Sequence, residues 1–321
     1  MLDNTYLTFD IGGTKIASGV VSLPPAAGAP PQVSDRCEIP TEAQSGGDEI
    51  RRRLVAFAEE RLRACAAQHR HIDGIGIAAA GVVDAERGVI AAATDILPGW
   101  KGQRIAEAFA AVTDLPVAMV GDVGAHGLGE AIYGAGRGHK TVLSLGLGTG
   151  IGGAYIVDGR LVTGAHGVAG HAGHVVSGLG KGFLCSCGTT SGHIEPVASG
   201  SGLATLYNHE RPADVEPAAD GREVCERAAL GEAYAGRVLE RSARALGECV
   251  AGMANLLDPH AIVLSGSVVQ AGPVWWRALR DGFMDGALEL VRQTPLIEGE
   301  LGGAAPLIGA AHAVRTARRG E

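Results

Sequence analysis

Short apolar runs that end in glycine recur along this chain, and segments with helical spacing lie between them. The runs at 6–9 and 16–21 flank a glycine-rich stretch, which predicts a strand, a tight turn and a second strand. Continuous apolar runs at 73–80, 117–120 and 261–265 predict buried strands. Buried strands separated by helices indicate an α/β protein.

Apolar residues at helical spacing mark the segments between these strands. In the first segment they are Leu54, Phe57, Ala58, Leu62 and Cys65. Helices are predicted over 47–69, 105–112, 125–133, 222–257 and 310–319.

The first hairpin pattern occurs twice. Residues 7–21 align without a gap with residues 143–157, and both read as a strand, a glycine–threonine turn and a second strand. We interpret this as an internal duplication. Glycine lets the backbone approach a ligand closely, and exposed N–H groups can hold an oxyanion. Either turn alone is compatible with an ordinary hairpin, but the pair favours a nucleoside triphosphate as ligand.

Polar residues at the ends of predicted strands are candidates for chemistry. Asp10 could hold a metal-bound water, while Thr14 offers a hydroxyl group and Lys15 a positive charge. Asp122 follows the strand at 117–120, at the sheet edge where ligands bind in open α/β sheets. Because Asp is a favoured N-cap, Asp122 taken alone is interpreted first as the cap of the next helix.

The segment 164–195 carries histidines, the closely spaced Cys185 and Cys187, and a carboxylate, Glu195. Imidazole and thiolate are the usual ligands of zinc. The pattern predicts a loop that is held by zinc and presents polar groups to a small ligand. A glycine-rich surface loop with two free thiols is the alternative.

Net charge, cysteine distribution and glycine content argue against some classes of protein. The net charge is −8, which argues against a nucleic-acid partner. The six cysteines are scattered and form no disulfide framework, which indicates a reducing compartment. The 50 glycines and the low aromatic content of 4% suit an α/β core of small residues with many turns. We expect a cytoplasmic protein with no signal peptide and no membrane helix.

Several motifs occur together and in order along nearly the whole chain. They are Asp10-Ile-Gly-Gly-Thr-Lys15, the Asp122 segment ending in Gly129-Glu130, Gly148-Thr-Gly-Ile-Gly-Gly153, Ala169-Gly170-x-x-Gly173-His174, Cys185-x-Cys187-Gly188 and His193-x-Glu195. This set resembles the ROK family of sugar kinases, within the actin/hexokinase/Hsp70 superfamily. The resemblance implies a two-domain actin-like (ribonuclease H-like) ATPase fold, an α/β fold with duplicated mixed sheets flanked by helices.

The resemblance also implies domain limits and partners. A small domain would comprise 1–118 plus 308–321, and a large domain with the sugar site and the zinc loop would comprise 119–307. The two domains would close over ATP with Mg²⁺ and a sugar, and a structural Zn²⁺ would lie near the sugar. Family analogy further suggests a homodimer.

Residue roles follow from the same resemblance. Asp122 matches the catalytic aspartate that takes the proton of the sugar's 6-hydroxyl as it attacks the γ-phosphate of ATP. Nucleotide and phosphate contacts are expected from Asp10, Gly12, Gly13, Thr14, Lys15, Gly148, Thr149, Gly150, Gly266 and Ser267. Sugar contacts are expected from Gly81, Asp95, Asp122, His171, His174 and Glu195.

The chain departs from the family pattern at three places. Gly121 replaces the usual Asn before the catalytic aspartate, so one expected sugar hydrogen bond is missing. After a one-residue insertion, His193 replaces the last Cys of the zinc motif. We therefore predict a zinc ligand set of His174, Cys185, Cys187 and His193.

The third departure concerns the substrate. His171 stands where many family members have Glu, and the resulting Ala-Gly-His-x-Gly-His pattern resembles that of bacterial N-acetylmannosamine kinases of sialic-acid breakdown. N-acetylmannosamine is therefore the predicted substrate, with glucose, N-acetylglucosamine or a cyclitol as alternatives. His171 could instead lie in a second shell beside the metal loop. A non-catalytic, sugar-sensing regulator is the alternative from another class.

Overall fold

The computed structural model describes residues 4–24, 29–94 and 96–319. The chain divides into two compact units. Unit 1 comprises Met1–Arg137, Gly159–Ala169 and Leu301–Glu321, and unit 2 comprises Gly138–Asp158 and Gly170–Glu300. The domain limits expected from the sequence stay a prediction.

The strands lie mostly in two larger sheets. They are β1 (Thr5–Ile11), β2 (Lys15–Ser22), β3 (Gln32–Pro40), β4 (Gly74–Ala79), β5 (Val82–Asp84), β6 (Val89–Ala92), β7 (Val117–Gly121), β8 (Thr141–Leu147), β9 (Ile151–Val157), β10 (Arg160–Leu161), β11 (Val176–Lys181), β12 (Ser191–His193), β13 (Ala261–Ser265) and β14 (Leu296–Glu298).

The helices connect these strands. They are α1 (Gly47–Ala67), α2 (Ile105–Ala110), α3 (Asp122–Tyr133), α4 (Glu195–Ala198), α5 (Gly200–Glu210), α6 (Gly221–Ala229), α7 (Ala233–Leu257), α8 (Pro273–Gly286) and α9 (Ala305–Arg319). Across 4–24, 29–94 and 96–319, no helix combines the length and the apolar character that a bilayer crossing needs.

Unit 1 is built on a mixed sheet with the strand order β3-β2-β1-β4-β7. Strands β1 and β2 form an antiparallel hairpin, while β4 and β7 run parallel to β1. Side chains alternate between the two faces of β1. Phe9 packs edge-on against Phe57 of α1 and Phe109 of α2, whereas Tyr6 belongs to a cluster with Leu307 of α9. Helices therefore cover both faces of this sheet.

Unit 2 repeats this plan. Four strands of its sheet lie in this unit, in the order β9-β8-β13-β14, with β8 and β9 antiparallel and the following pairs parallel. The same sequence of pairings runs through β2-β1-β4-β7, which confirms the predicted internal duplication. The second turn is one residue tighter, because Leu147 pairs with Ile151 whereas Ile11 pairs with Ile16.

Most predicted elements are confirmed, but two differ in extent. The segment 222–257, predicted as largely helical, forms two helices, α6 and α7, since Gly231 adopts a φ of 90° between them. The C-terminal helix begins at Ala305 rather than at 310. Its added first turn carries Leu307 and Ile308, which are almost fully buried in unit 1.

Candidate active site and metal cluster

The first glycine–threonine turn, Gly12–Thr14, joins β1 to β2 in unit 1. The Gly12 N–H donates to the Lys15 carbonyl at 3.0 Å, which closes the turn. Thr41 holds it from outside: its hydroxyl donates to the Gly12 carbonyl at 2.7 Å, and its N–H donates to the Thr14 carbonyl at 3.0 Å. The backbone of this turn is therefore fixed without a ligand.

Lys15 lies at the start of β2 and its side chain points to solvent. Its Nζ lies 2.6 Å from Glu38 Oε2, and both side chains are 61% exposed. Exposed ion pairs of this kind contribute little free energy. The Lys15 ammonium group can therefore leave Glu38 for a more strongly charged ligand at small cost.

Two carboxyl groups lie near this turn in unit 1. Burial raises the pKa of Asp122 to about 6, although the Val123 N–H donates to its Oδ1 at 2.9 Å and opposes the rise. Burial also raises the pKa of Asp10 to about 6, with the charge of Asp122 as the second cause and Lys15 opposing. The two carboxylates therefore repel each other, and each is a stronger base than an ordinary aspartate.

Asp122 is the first residue of α3, directly after β7. Its interpretation as the N-cap of that helix is wrong, because Gly121 occupies the cap position and no side-chain cap bond is made. Gly121 has ordinary extended backbone angles (φ −59°, ψ 146°), and a Cβ atom there would lie 3.4 Å from the Gly81 carbonyl. The glycine is thus not required by backbone conformation or by close packing.

Gly81 lies between β4 and β5 in a conformation that favours glycine, with φ 99°. A Cβ atom there would lie 2.5 Å from the Ala92 carbonyl oxygen, so no side chain fits. The neighbouring Ala80 carbonyl accepts a hydrogen bond of 3.0 Å from the indole nitrogen of the fully buried Trp100. Asp95, the other predicted sugar contact of this region, lies outside the described residues.

The second glycine–threonine turn, Gly148–Gly150, joins β8 to β9 in unit 2. Its carbonyls are held by the start of α5: Gly200 N–H donates to Gly148 at 2.7 Å, and the Ser201 hydroxyl donates to Thr149 at 2.6 Å. A Cβ atom at Gly148 would meet nothing within 4 Å. The turn is therefore held by hydrogen bonds from the start of α5, while the side on which a Gly148 Cβ atom would lie is open.

A third turn, at Gly266 and Ser267, follows β13 in the same sheet. Gly266 has φ 105°, and a Cβ atom there would lie 2.4 Å from the Leu147 carbonyl. The glycine is therefore required by both conformation and contact. Since Leu147 is the last residue of β8, the third turn lies beside the second, and Ser267 is exposed there.

Four side chains of unit 2 converge on one point: His174, Cys185, Cys187 and His193. Their ligand atoms all lie within 4.8 Å of one another. The Nδ1 atoms of the two histidines are 3.2 Å apart, and each lies 3.4 Å from one cysteine Sγ. Tetrahedral zinc would require about 3.3 Å between nitrogens and about 3.6 Å between nitrogen and sulfur. The residues therefore fit a zinc ion.

The surroundings of this cluster favour metal binding. The Ser191 hydroxyl lies 3.2 Å from His193 Nε2, so that the ring is oriented with Nδ1 toward the other three ligands. Burial lowers the pKa of His174, which favours the neutral imidazole that a metal requires. The Cys185 N–H donates to the Thr189 carbonyl at 2.8 Å and closes the loop that carries both thiols.

His171 precedes the short 3₁₀ turn Ala172–His174 in unit 2 and is exposed. Its ring stacks on that of His174, with centroids 6.0 Å apart and an interplanar angle of 23°. This position beside the metal cluster is compatible both with a contact to a sugar and with support of a metal ligand.

Glu195 is the first residue of α4, and both of its carboxylate oxygens are engaged. Oε2 accepts a hydrogen bond of 2.9 Å from the Ile151 N–H, and Oε1 accepts one from the Ser186 hydroxyl. Glycines lie on two sides of it, since a Cβ atom at Gly150 or Gly173 would come within 2.7 Å or 3.2 Å of Oε2. The carboxylate is thus attached to the second glycine–threonine turn.

Three hydroxyl residues that hold these turns were not singled out in the sequence. Thr41 is 29 positions from its partner Gly12, Ser201 is 52 from Thr149, and Ser186 is 9 from Glu195. Only the separation between Ser186 and Glu195 is short enough to leave a local sequence pattern. Ser186 lies between two cysteines, and the chemical signal of that segment comes from their thiols.

Comparisons with known proteins agree with this geometry. The ROK family profile matches residues 6–317. A glucokinase from Halalkalibacterium halodurans is 32% identical over 301 residues, covering 91% of this chain and 88% of the relative. An N-acetylmannosamine kinase from Escherichia coli O139:H28 is 32% identical over 265 residues, covering 82% and 83%. A solved ROK family glucokinase from Streptomyces griseus, in complex with glucose and AMPPNP, superposes with a TM-score of 0.78 at 29% identity, covering 97% and 99%.

Proposed function

The chain belongs to the ROK family and is an ATP-dependent sugar kinase, and we propose that it phosphorylates the 6-hydroxyl of a hexose or amino sugar, with N-acetylmannosamine preferred. The fold is the actin-like ATPase fold, with the duplicated mixed sheets described above. The raised pKa of Asp122, at the end of β7, is the observation that supports the chemistry most directly.

Asp122 is the general base in this proposal. Its carboxylate accepts the proton of the 6-hydroxyl while the oxygen attacks the γ-phosphorus of ATP and the bond to ADP breaks. A pKa of about 6 keeps Asp122 ionised at neutral pH yet makes it a better proton acceptor than an exposed aspartate. Positioning and charge stabilisation supply most of the rate in such transfers.

Phosphate groups are held by backbone N–H groups of the two glycine–threonine turns and by the charge of Lys15. The third turn, with Gly266 and Ser267, takes the nucleotide side. Mg²⁺ bound with ATP would neutralise phosphate charge, and Asp10 would hold one of its water ligands. The tethering of the first turn by Thr41 means that little backbone ordering is left to do on binding.

The sugar is held in this proposal by His171, His174 and Glu195, with Gly81 and Asp95 as further contacts. The imidazole of His171 offers polar ring nitrogens and a flat apolar face, which suits a 2-acetamido group. The similarity to an N-acetylmannosamine kinase supports this acceptor, but that to a glucokinase is equal at 32% identity. Glucose is therefore the runner-up, followed by N-acetylglucosamine or a cyclitol.

We propose further that the four-residue cluster holds a structural Zn²⁺ and that the protein acts in the cytoplasm as a homodimer. The distances between the four ligand atoms support the zinc site. Zinc would stabilise the loop that carries Cys185 and Cys187. Stoichiometric zinc in purified protein is the expected result, and a metal-free protein that melts at the same temperature would remove zinc from the proposal.

The test of function is ATP-dependent ADP release with Mg²⁺. N-acetylmannosamine, N-acetylglucosamine, glucose, mannose and a cyclitol are compared at equal concentration. Preference for N-acetylmannosamine is expected. Preference for another sugar would remove this acceptor and the role of His171 in choosing it. An absence of turnover with all five would contradict the proposed acceptor class and favour a non-catalytic sugar-binding protein.

A further inference from the structure

Glu195 lies between two parts of unit 2 that the proposed function treats separately. One is the loop that carries the metal cluster, through Ser186, which stands between the ligands Cys185 and Cys187. The other is the second glycine–threonine turn, through the N–H of Ile151, the residue that follows it. One carboxylate group therefore joins the two.

The sequence makes room for this arrangement. Gly150 and Gly173 approach the carboxylate so closely that a methyl group at Gly150 would lie 2.7 Å from Oε2. The Glu195 backbone carbonyl also accepts the Ser199 N–H at 3.1 Å, inside the short helix that leads to Gly200 and α5. Both its side chain and its own helix thus lead to the same turn.

We propose that Glu195 is a positioning residue which transmits the state of the metal loop to the phosphate-binding turn, with Ser186 as its link to that loop. This inference rests on the proposed kinase function. A positioning role of Glu195 differs from a role as a sugar contact in one testable consequence. Loss of the Ser186 hydroxyl should weaken the binding of nucleotide in the absence of any sugar.

The physical reason is the number of donors that hold the carboxylate. Ser186 is the nearer donor to Oε1, with Cys185 Sγ at 3.8 Å, and the orientation of the planar carboxylate then places Oε2 opposite the Ile151 N–H. Without the hydroxyl the carboxylate can rotate, and the backbone at the end of the turn loses a charge-assisted hydrogen bond. A turn that must be ordered on binding holds phosphates less tightly than one ordered beforehand.

The experiment compares wild type with Ser186→Ala by titration calorimetry with Mg-AMPPNP and no sugar, with zinc content measured on the same samples. We expect Ser186→Ala to retain full zinc and to bind Mg-AMPPNP roughly 3- to 30-fold more weakly. Ser186→Thr, which keeps a hydroxyl at an exposed position, should restore the affinity. Thr205→Ala is the matched control, because its exposed hydroxyl on α5 donates to the Ser201 carbonyl one turn earlier in the same helix.

Removal of zinc with a selective chelator, followed by dialysis into Mg²⁺ buffer, provides the second measurement. Wild type should lose nucleotide affinity by a similar factor, and Ser186→Ala should lose little more. Equal affinity of wild type and Ser186→Ala at full zinc occupancy would overturn the inference while the kinase function stands. If wild type itself bound no Mg-AMPPNP, the proposed function would fall and the inference with it.

Discussion

Asp122→Asn should make the protein more stable while it lowers turnover about a hundredfold or more. Burial raises the pKa of Asp122 from 3.8 to about 6, so the folded state disfavours the charged carboxylate. A carboxyl group of this kind stabilises the fold fully below its unfolded pKa, and that contribution is lost as pH rises through the folded pKa. At neutral pH the ionised Asp122 therefore costs about 3 kcal/mol of folding free energy.

Two effects change the expected gain in opposite directions. A negative charge at the start of α3 interacts favourably with the helix dipole, which offsets about 0.3–1 kcal/mol. The pKa of Asp10 should fall when the neighbouring charge of Asp122 disappears, which relieves a repulsion in the folded state and adds to the gain. We therefore expect Asp122→Asn to raise the free energy of unfolding by about 2–3 kcal/mol at pH 7.5.

Urea denaturation of nucleotide-free, zinc-replete protein measures this gain. Linkage predicts that about half of this stability gain remains at pH 5, about a fifth at pH 4 and almost none near pH 3. Asp114→Asn is the control, because this exposed aspartate of unit 1 has the same chemistry and should change stability by less than about 0.5 kcal/mol. A lower or unchanged urea midpoint for Asp122→Asn at pH 7.5 would refute the assignment of a destabilising buried charge.

The same substitution tests catalysis. Turnover with the best sugar should fall about a hundredfold or more, because the general base is lost. Wild-type kcat/KM should fall as pH drops through about 6, since Asp122 must be ionised to accept the proton. Undiminished turnover by Asp122→Asn would remove it from the mechanism, whatever its effect on stability.

Three further predictions concern the metal loop and the acceptor. Ser191→Ala should weaken zinc affinity about tenfold, measured by competition with a chelator, because His193 loses the hydroxyl that orients its ring. Unchanged zinc affinity would mean that the Ser191 hydroxyl is dispensable. Gly121→Asn should lower the sugar KM by roughly 3- to 10-fold, because it adds the missing hydrogen bond to the sugar. The urea midpoint should change little, since the backbone at Gly121 accepts a side chain. A raised KM would show that the ligand occupies the space beside Gly121. His171→Glu should shift kcat/KM from N-acetylmannosamine toward glucose by about tenfold, and an unshifted ratio would leave His171 as support for the metal cluster.

The fold was predictable because its main signal is local. The glycine–threonine turns and the apolar runs beside them specify two hairpins, and their repetition at 7–21 and 143–157 indicates the duplication. Helix limits were less predictable. Gly231 separates α6 from α7 through its positive φ, which the spacing of apolar residues does not reveal. The first turn of α9 forms because Leu307 and Ile308 are buried.

The candidate site likewise combines features that are local in sequence with features that depend on the fold. Thiols and imidazoles near one another in sequence suggested a metal site, and the resemblance to the ROK family motif selected the four residues that the structure brings together. The place of Asp122 after a strand favoured a helix cap, and only the family resemblance indicated a catalytic role; its electrostatic effect on Asp10 depends on the folded sheet. The hydroxyls of Thr41 and Ser201 act over 29 and 52 positions, and separations of that kind leave no local pattern.

Glu195 shows why a role taken from a motif is incomplete. Its motif position implied a sugar hydroxyl as partner, and an exposed carboxylate near a ligand would suit that role. In the structure one oxygen accepts a backbone N–H 44 positions away, and the other accepts the Ser186 hydroxyl from the metal loop. A carboxylate held from both sides can still accept a further hydrogen bond, because each oxygen has two lone pairs. A sugar bound there would contact a group whose orientation the metal loop and the phosphate turn have already fixed, so sugar, metal and nucleotide affinities should be coupled through it.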